Sequence, residues 1–299
     1  MPGTPPHTAW AVAGLLLNAF VWGLSWWPFK RLETLGLHPL WATAVVYGLS
    51  FVAIALWVWQ RRIHTGWRSH PALWWLLIAS GLTNVGFNWA VTVGDVVRVV
   101  LLFYLMPAWS VLVAWWLLGD KPSAGALLRL LLALSGLFIV LHKPDSPWPV
   151  PQSLADVLAL LGGFSFAVTN ALLFKLKDSP ESSRMLAMFG GGALMAAMTA
   201  LLGTGSAVVV QSVVVQPGWI GPVLALTLAF LAGNIALQYG AARLPAHTTA
   251  LVMLSEVVFA SVSSVILGAS TWDAGTLLGG ALILLAAVLS VVMPGRTQH

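Results

Sequence analysis

The chain has 299 residues, of which 59% are apolar and only 8% charged, and its formal net charge is +5. A soluble protein of this size would alternate polar with apolar faces, and this sequence hardly does so. The chain contains no cysteine, which excludes disulfide bonds and thiol chemistry.

Ten apolar stretches follow one another along the chain, each long enough to cross a bilayer. A bilayer core is roughly 30 Å thick, so a spanning helix needs about 20 mostly apolar residues. Backbone polar groups in lipid must be satisfied within the segment, so we predict helices and not strands. The predicted spans are 8–29, 39–60, 71–93, 97–118, 124–141, 154–174, 184–203, 219–241, 246–268 and 274–293. The connectors between them are short, and we expect the first span to be retained and not cleaved as a signal peptide.

The basic residues predict how the chain is oriented. With both termini in the cytoplasm, ten basic residues fall on the inner side and four on the outer side. The inner set comprises Arg61, Arg62, Arg68, Lys121, Arg129, Lys175, Lys177, Arg184, Arg243 and Arg296; the outer set comprises Lys30, Arg31, Arg98 and Lys143. This asymmetry fits the positive-inside rule. It accounts for the basic excess without a nucleic-acid partner.

The two halves of the sequence can be aligned with each other. Residues 101–120 align with residues 249–269, which places Gly119 on Gly268 and Pro107 on Glu256. Each half holds five predicted spans, an odd number, so the second half must insert upside down relative to the first. The expected fold is therefore an all-α integral membrane protein of ten transmembrane helices, built as two inverted five-helix repeats at 1–146 and 147–299. Many secondary transporters are built from inverted repeats, with the substrate site near the midplane.

Three motifs make the chain resemble the drug/metabolite transporter superfamily, in its EamA-type branch. They are Trp22-Gly23 with Lys30, Tyr104-Leu105-Met106-Pro107 with Gly119-Asp120, and Ser255-Glu256-Val257 with Gly268. The stretch from Tyr47 to Ser50 and the Tyr-x-x-Pro of the fourth span make it similar to bacterial aromatic amino-acid exporters. The sequence departs from the family at Asp120 and Ala269, where Glu is frequent, and from the exporters at Glu256, where Pro is usual.

The resemblance implies a secondary active transporter of the bacterial inner membrane. It would export aromatic or large neutral amino acids, or related small metabolites, by alternating access, with both termini cytoplasmic. Its partners would be a small-molecule substrate and the lipid bilayer, with no nucleic acid, in a monomer or weak dimer. A proton-coupled carrier of drugs or other metabolites is an alternative, and a non-transporting membrane scaffold or an intramembrane enzyme is an alternative of another class.

Two residues in the middle of spans suggest the site. Pro107 removes a backbone hydrogen bond and should kink the fourth span. Glu256 is the only acid well inside a span. A charge at the helix centre costs about 2.5–3.5 kcal/mol on insertion scales, so this side chain should face protein or a wet cavity. Glu256 could bind a substrate ammonium or carry a coupled proton, or it could be a neutral structural acid.

Amides and aromatic rings extend this candidate site. Asn84 and Asn88 share a helix face, and Asn234 with Gln238 repeats that spacing in the second half. Such amides could line a cavity, or they could hold helices together through hydrogen bonds. The complete predicted cavity set is Asn18, Trp22, Tyr47, Asn84, Asn88, Tyr104, Met106, Pro107, Phe166, Asn170, Asn234, Gln238 and Glu256.

Several kinds of chemistry lack their sequence signatures. There is no G-x-x-x-x-G-K-[ST] motif for ATP and no H-E-x-x-H or other metal-binding spacing. No nucleophile, base and orienting group occur at a recognisable spacing. We therefore predict no enzyme activity, no cofactor and no metal.

Overall fold

The computed structural model describes residues 6–113, 115, 124–141, 150–202, 217–241, 243, 252–253, 255–270 and 273–292. This part of the chain contains helices and connectors but no strand. The helices are α1 (Pro6–Thr34), α2 (Pro39–Gln60), α3 (Ala72–Val93), α4 (Val96–Phe103), α5 (Met106–Val113), α6 (Ala124–Leu141), α7 (Leu154–Lys175), α8 (Glu181–Leu202), α9 (Pro217–Ala241), α10 (Ser255–Ile266) and α11 (Ala274–Val292). Gly119 and Asp120, which the repeat alignment and the family motifs include, lie outside the described residues.

The helices agree closely with the predicted spans. Within the described residues, six helical stretches are long and apolar enough to cross a membrane: Ala9–Thr34, Pro39–Gln60, Ala72–Val93, Leu154–Leu173, Glu181–Leu202 and Pro217–Leu237. Shorter apolar helices match the fifth, ninth and tenth predicted spans. The surface of the bundle between its two ends carries large apolar side chains such as Leu131, Leu161 and Leu228, as a lipid-facing surface requires.

The fourth predicted span is divided into α4 and α5. The break lies at Tyr104–Leu105, directly before Met106 and Pro107. Proline has no backbone N–H, so the carbonyl of Phe103 receives no helical hydrogen bond from Pro107. Helix α4 has 8 residues and is about 12 Å long, too short to cross the membrane by itself. The predicted kink is therefore present as a two-residue turn, Tyr104–Leu105, between α4 and α5.

The main helix contacts join the two halves of the chain. Helix α3 packs along α7 and α8, α1 packs along α9 and α10, and α6 packs along α11. Glycines allow these close approaches: a Cβ atom on Gly191 would lie 2.0 Å from the carbonyl oxygen of Leu77, and one on Gly86 would lie 2.7 Å from that of Leu158. Small residues bring membrane helices close enough for van der Waals packing. The two halves are interleaved and are not two separate bundles.

One end of the bundle, which we call the clasp end, is where α1 ends and α4 and α7 begin. There Arg98 of α4 forms a bidentate ion pair with Asp156 of α7, with 2.8 Å between Nε and Oδ1 and 3.1 Å between Nη2 and Oδ2. Nη1 of Arg98 also donates to the carbonyl oxygen of Val140, near the end of α6. Asp156 is 2% exposed. Charge-assisted bidentate pairs of this kind are strong and geometrically specific. The pair of Arg98 with Asp156 therefore holds α4 of the first half against α7 of the second half.

Other polar groups at the clasp end satisfy helix termini. Asp95 caps α4 by accepting from the backbone N–H of Arg98 at 2.9 Å, and Ser270 Oγ accepts from the N–H groups of Val96 and Val97. These side chains replace the partners that the first N–H groups of a helix lack. Asp273 caps α11 in the same way, and the hydrogen bonds from Thr276 lower the pKa of the Asp273 carboxyl.

Candidate functional site

The buried carboxylate of Glu256 meets the hydroxyl of Tyr104 in the middle of the bundle. The tyrosine Oη donates to Oε2 of Glu256 at 3.1 Å and lies 3.5 Å from the carbonyl oxygen of Met253. Glu256 is 9% exposed and Tyr104 is 3% exposed. Tyr104 belongs to the first half of the chain, at the break between α4 and α5, and Glu256 belongs to α10 of the second half. The contact therefore joins the two halves at an interrupted helix.

Asn18 of α1 completes this group. Its Nδ2 contacts the sulfur of Met253 at 3.6 Å, and its side chain is 1% exposed. The other end of the amide, Oδ1, is buried and has no hydrogen-bond partner among the described residues. This oxygen faces α9, where a Cβ atom on Gly233 would lie 3.2 Å from it. We call Asn18, Tyr104, Met253 and Glu256 the mid-bundle cluster.

A glycine brings α1 against α10 beside the cluster. A Cβ atom on Gly23 would lie 2.9 Å from the carbonyl oxygen of Glu256 and 2.7 Å from Cβ of Phe259. Only glycine permits that approach without a shift of either helix. One turn further along α1, the Trp26 indole donates from Nε1 to Ser263 Oγ at 3.0 Å. Helix α1 therefore fixes the position of the helix that carries Glu256.

Aromatic rings form a connected wall next to the cluster. Trp22 stacks on Phe230 with ring centroids 4.8 Å apart and an angle of 24° between the ring planes. Trp22 also meets Phe87 edge-on at 6.2 Å, Phe87 meets Phe103 at 4.8 Å, and Phe103 meets Phe166 at 5.5 Å. Phe103 directly precedes the cluster tyrosine in the sequence. Flat apolar surfaces of this kind suit an aromatic ligand group.

A second buried tyrosine lies between α2 and α3. The Tyr47 hydroxyl donates to Oδ1 of Asn84 at 2.6 Å, and Nδ2 of Asn84 donates to the carbonyl oxygen of Ser80 at 2.8 Å. One turn along α3, Nδ2 of Asn88 donates to Thr43 Oγ1 at 3.3 Å. These groups hold α2 and α3 together within the first half of the chain.

Comparison with known proteins finds one family that part of the chain resembles. Residues 9–142, somewhat less than half of the chain, match the EamA-like transporter family. Thirteen chains of solved structures also match this protein. One of them, a crystal structure described only as that of a protein, is 16% identical, with 97% of this chain and 99% of that chain covered and a TM-score of 0.55. That likeness shows a shared fold alone. No curated protein matches the sequence.

The match over residues 9–142 and the apolar helices together indicate a multi-pass membrane protein. A transporter of the matched family would have a small-molecule substrate and the surrounding lipid as its partners. The first family motif, Trp22-Gly23, lies on α1 beside the aromatic wall, and the second, Tyr104 to Pro107, forms the break. The third motif contains Glu256. All three motifs of this EamA-like chain thus contribute to the neighbourhood of the mid-bundle cluster.

The predicted cavity residues fall into several groups. Asn18, Tyr104 and Glu256 come together in the cluster, and Trp22 and Phe166 lie in the aromatic wall. A further group, Tyr47 with Asn84 and Asn88, lies between α2 and α3. Met106 is partly buried against the same apolar core as the wall.

The remaining predicted residues are not placed in the cluster. Asn170 is exposed on α7, because that helix packs its Gly162 side against α3. Asn234 is partly buried on α9. The side chains of Pro107 and Gln238 lie outside the described residues.

Arg98 and Asp156 form the main polar contact that the sequence did not predict. Arg98 entered the predicted topology only as a basic residue of the outer side, and Asp156 entered no prediction. They fall on the same side of the membrane in the predicted topology and carry opposite charges. Their opposite charges on one side of the membrane could have predicted this ion pair.

Proposed function

We propose that the protein is a secondary transporter of the bacterial inner membrane that exports aromatic or large neutral amino acids by alternating access. The observation that carries this proposal is the contact between Tyr104 and Glu256. It joins the two halves of the chain in the middle of the bundle, at an interrupted helix and beside the aromatic wall. Such a place is where inverted-repeat transporters bind their substrates.

The chemistry of the cluster suits the ammonium group of an amino acid. Glu256 offers a carboxylate, and Asn18 offers a buried Oδ1 without a partner among the described residues. An isolated carboxylate in a membrane interior is costly, and a cationic group that binds to it offsets that cost. The rings of Trp22, Phe103 and Phe166 then suit the aromatic side chain of the same ligand.

The pattern of helix packing supports two inverted repeats. In such a repeat, α1 of the first half is the counterpart of α7, α3 is the counterpart of α9, and α4 with α5 is the counterpart of α10. The packing of α3 on α7 then corresponds to the packing of α9 on α1, and both pairs pack closely. Likewise the packing of α1 on α10 corresponds to that of α7 on α4 and α5, and these helices also pack together. A third correspondence is unequal, since α3 packs extensively on α8 while α2 makes a smaller contact with α9. In any single state of an alternating-access protein, one of two symmetry-related helix contacts is closed and the other is open. The extensive contact of α3 with α8 and the smaller contact of α2 with α9 fit that pattern.

The distribution of charge supports cytoplasmic termini. We call the end opposite the clasp, where α2 and α7 end, the basic end. Among the described residues it carries eight basic and two acidic side chains, and the clasp end carries three basic and four acidic ones. The basic end holds Arg61, Arg62, Arg68, Arg129, Lys175, Lys177, Arg184 and Arg243 with Asp178 and Glu181; the clasp end holds Lys30, Arg31 and Arg98 with Glu33, Asp95, Asp156 and Asp273. The positive-inside rule places the basic end in the cytoplasm.

Efflux from liposomes tests the proposal. Liposomes containing the purified protein are loaded with labelled L-tryptophan, and release is compared with protein-free liposomes. Unlabelled phenylalanine, tyrosine, tryptamine and indole-3-propionate are then added as competitors. We expect protein-dependent release, with competition by the amino acids and by tryptamine, which keeps the ammonium group, but not by indole-3-propionate, which lacks it.

Two results would reject the proposal. Release equal to that from protein-free liposomes would exclude transport of aromatic amino acids. Competition by indole-3-propionate as strong as that by tryptamine would exclude recognition of the ammonium group by Glu256.

A proton-coupled carrier of other amphiphiles is the second candidate function. It is favoured by the ionisable Glu256, which lies deep in the bundle with a tyrosine hydroxyl as its hydrogen-bond donor. In that case an imposed pH gradient drives uphill transport in the wild type, and Glu256→Gln abolishes the uphill component. Unchanged uphill transport by Glu256→Gln would exclude this residue as the proton carrier.

A further inference from the structure

A groove of about 750 Å³ opens on the outside of the bundle at the basic end. It runs along α2 and α8, and none of the predicted cavity residues lines it. The mid-bundle cluster does not account for it. The groove combines an apolar floor with a polar mouth, and these two parts indicate what it holds.

The floor of the groove follows one face of α2. Phe51, Ala55 and Val58 line it from α2, and Leu186 lines it from α8. Ala55 leaves room between larger neighbours, and the Phe51 ring packs over Gly190 of α8, where a Cβ atom would lie 3.1 Å from the ring. From residue 51 to residue 58 the floor extends about 10 Å along the helix axis. This length and chemistry fit the upper part of a lipid acyl chain.

The mouth of the groove carries a cation in an unusual backbone conformation. Gln60, Arg62 and His64 line it, and no acidic residue does. Arg62 has φ of 52°, and it is the one non-glycine residue with positive φ in the described part of the chain. The N–H groups of Arg62 and Ile63 bond to the carbonyl oxygens of Trp59 and Val58 and close α2 with a Schellman turn. Glycine is the usual residue at this position.

The arginine at that turn is conformationally unfavourable. An L-residue in the left-handed region brings its Cβ close to the following carbonyl, and glycine avoids this. The neighbouring Arg61 and the other basic residues of the same end reinforce a positive potential.

We propose that this groove binds one anionic phospholipid. Its phosphate is held by Arg62, with His64 and Gln60 as further donors, and one acyl chain lies over Phe51, Ala55 and Leu186. Basic pockets between membrane helices select anionic headgroups by the same chemistry. The proposal needs only the location of the chain in a membrane, and it is independent of which substrate is transported.

Retention of lipid by the full-length protein tests the proposal. The protein is purified in detergent, titrated with phosphatidylglycerol or with phosphatidylcholine of the same acyl chains, and examined by native mass spectrometry. The informative variant is Arg62→Gly, because it removes the charge and leaves a residue that prefers the observed backbone conformation. Arg68→Ala is the matched control, since Arg68 is an exposed cation of the same end that does not line the groove. Ala55→Trp fills the floor.

We expect the wild type to retain one phosphatidylglycerol with an affinity at least fivefold higher than for phosphatidylcholine. Arg62→Gly should bring the two lipids to parity, Arg68→Ala should behave as the wild type, and Ala55→Trp should retain neither. Equal binding of both lipids by the wild type would overturn the proposal, because the groove would then bind a lipid without net charge as tightly as an anionic one. Undiminished selectivity in Arg62→Gly would also overturn it, and that variant remains informative if Ala55→Trp does not fold.

Discussion

Two of the tyrosines in this protein are buried in the bundle, and their partners differ in kind. Tyr47 donates to the amide of Asn84, which cannot ionise, within the first half of the chain. Tyr104 donates to the carboxylate of Glu256, across the two halves and next to a broken helix. The hydrogen bonds have similar geometry, with oxygen–oxygen distances of 2.6 and 3.1 Å.

The difference between the two hydrogen-bond partners suggests a structural role for Tyr47 and a functional role for Tyr104. The amide of Asn84 is satisfied at both ends, by Tyr47 and by the carbonyl of Ser80, so the first pair stabilises the packing of α2 on α3. The second pair places an ionisable group where the two halves of the chain meet. A transporter must bind and release at such a place. We therefore expect changes at the first pair to alter stability and changes at the second to alter transport.

The largest effect is expected from Glu256→Gln. The amide keeps the shape of the side chain and can still accept from Tyr104, but it removes the negative charge. Losing one partner of a buried charged pair costs roughly 2–5 kcal/mol of binding free energy. Because each 1.4 kcal/mol changes an affinity about tenfold, tryptophan efflux should fall by about 100-fold. Efflux from liposomes with equal amounts of protein measures this. Efflux within twofold of the wild type would place Glu256 among structural residues.

A smaller loss is expected from Tyr104→Phe. The substitution removes one donor to the Glu256 carboxylate and keeps the ring. Hydrogen bonds to charged groups contribute about 1.5–3 kcal/mol, so efflux should fall by about tenfold or somewhat more. The double variant with Glu256→Gln should be no worse than Glu256→Gln alone, because both changes act on one interaction. Additive losses in the double variant would contradict a shared role.

Tyr47→Phe should affect stability and leave transport within twofold. It leaves Oδ1 of Asn84 buried without its donor, which costs roughly 1–3 kcal/mol. Thermal unfolding in detergent measures this as a lower Tm. A loss of efflux as large as that of Tyr104→Phe, at unchanged Tm, would remove the distinction between the two tyrosines.

The smallest effect is expected from Tyr47→Phe combined with Asn84→Leu. Replacement of both partners by apolar groups leaves no buried acceptor unpaired, and such double changes can be nearly neutral. The Tm should therefore recover most of the loss caused by Tyr47→Phe alone. A double variant that is less stable than either single variant would show that Asn84 has another essential partner.

The sequence predicted the spans well because length and apolarity suffice to define them. Both ends of α2 coincide with those of its predicted span, and the interruption at Tyr104 follows from the missing N–H of Pro107. The fold class was confirmed as all-helical in the described residues, with apolar helices suited to a membrane. The inverted relation of the halves stays a prediction.

The partners of the site residues could not be predicted in the same way. Whether Glu256 meets Tyr104 depends on the rotation of α10 against α1, which the close contact at Gly23 determines. Helical periodicity shows which residues share a face, but not which face meets which helix. Asn170 illustrates this, since its polarity suggested a cavity and its side chain is exposed on α7. The Schellman turn at Arg62 could not be predicted either, because the left-handed conformation is usual for glycine and not for arginine.

Substrate protection of Glu256 tests the central claim most directly. The wild-type protein is treated with dicyclohexylcarbodiimide, which modifies carboxyl groups in apolar surroundings, and modification of Glu256 is quantified by mass spectrometry with and without L-tryptophan. We predict modification of Glu256 in the absence of substrate and strong protection at saturating tryptophan, with alanine giving little protection. Modification that tryptophan does not change, or a Glu256 that the reagent never reaches, would contradict a role for this carboxylate in substrate binding.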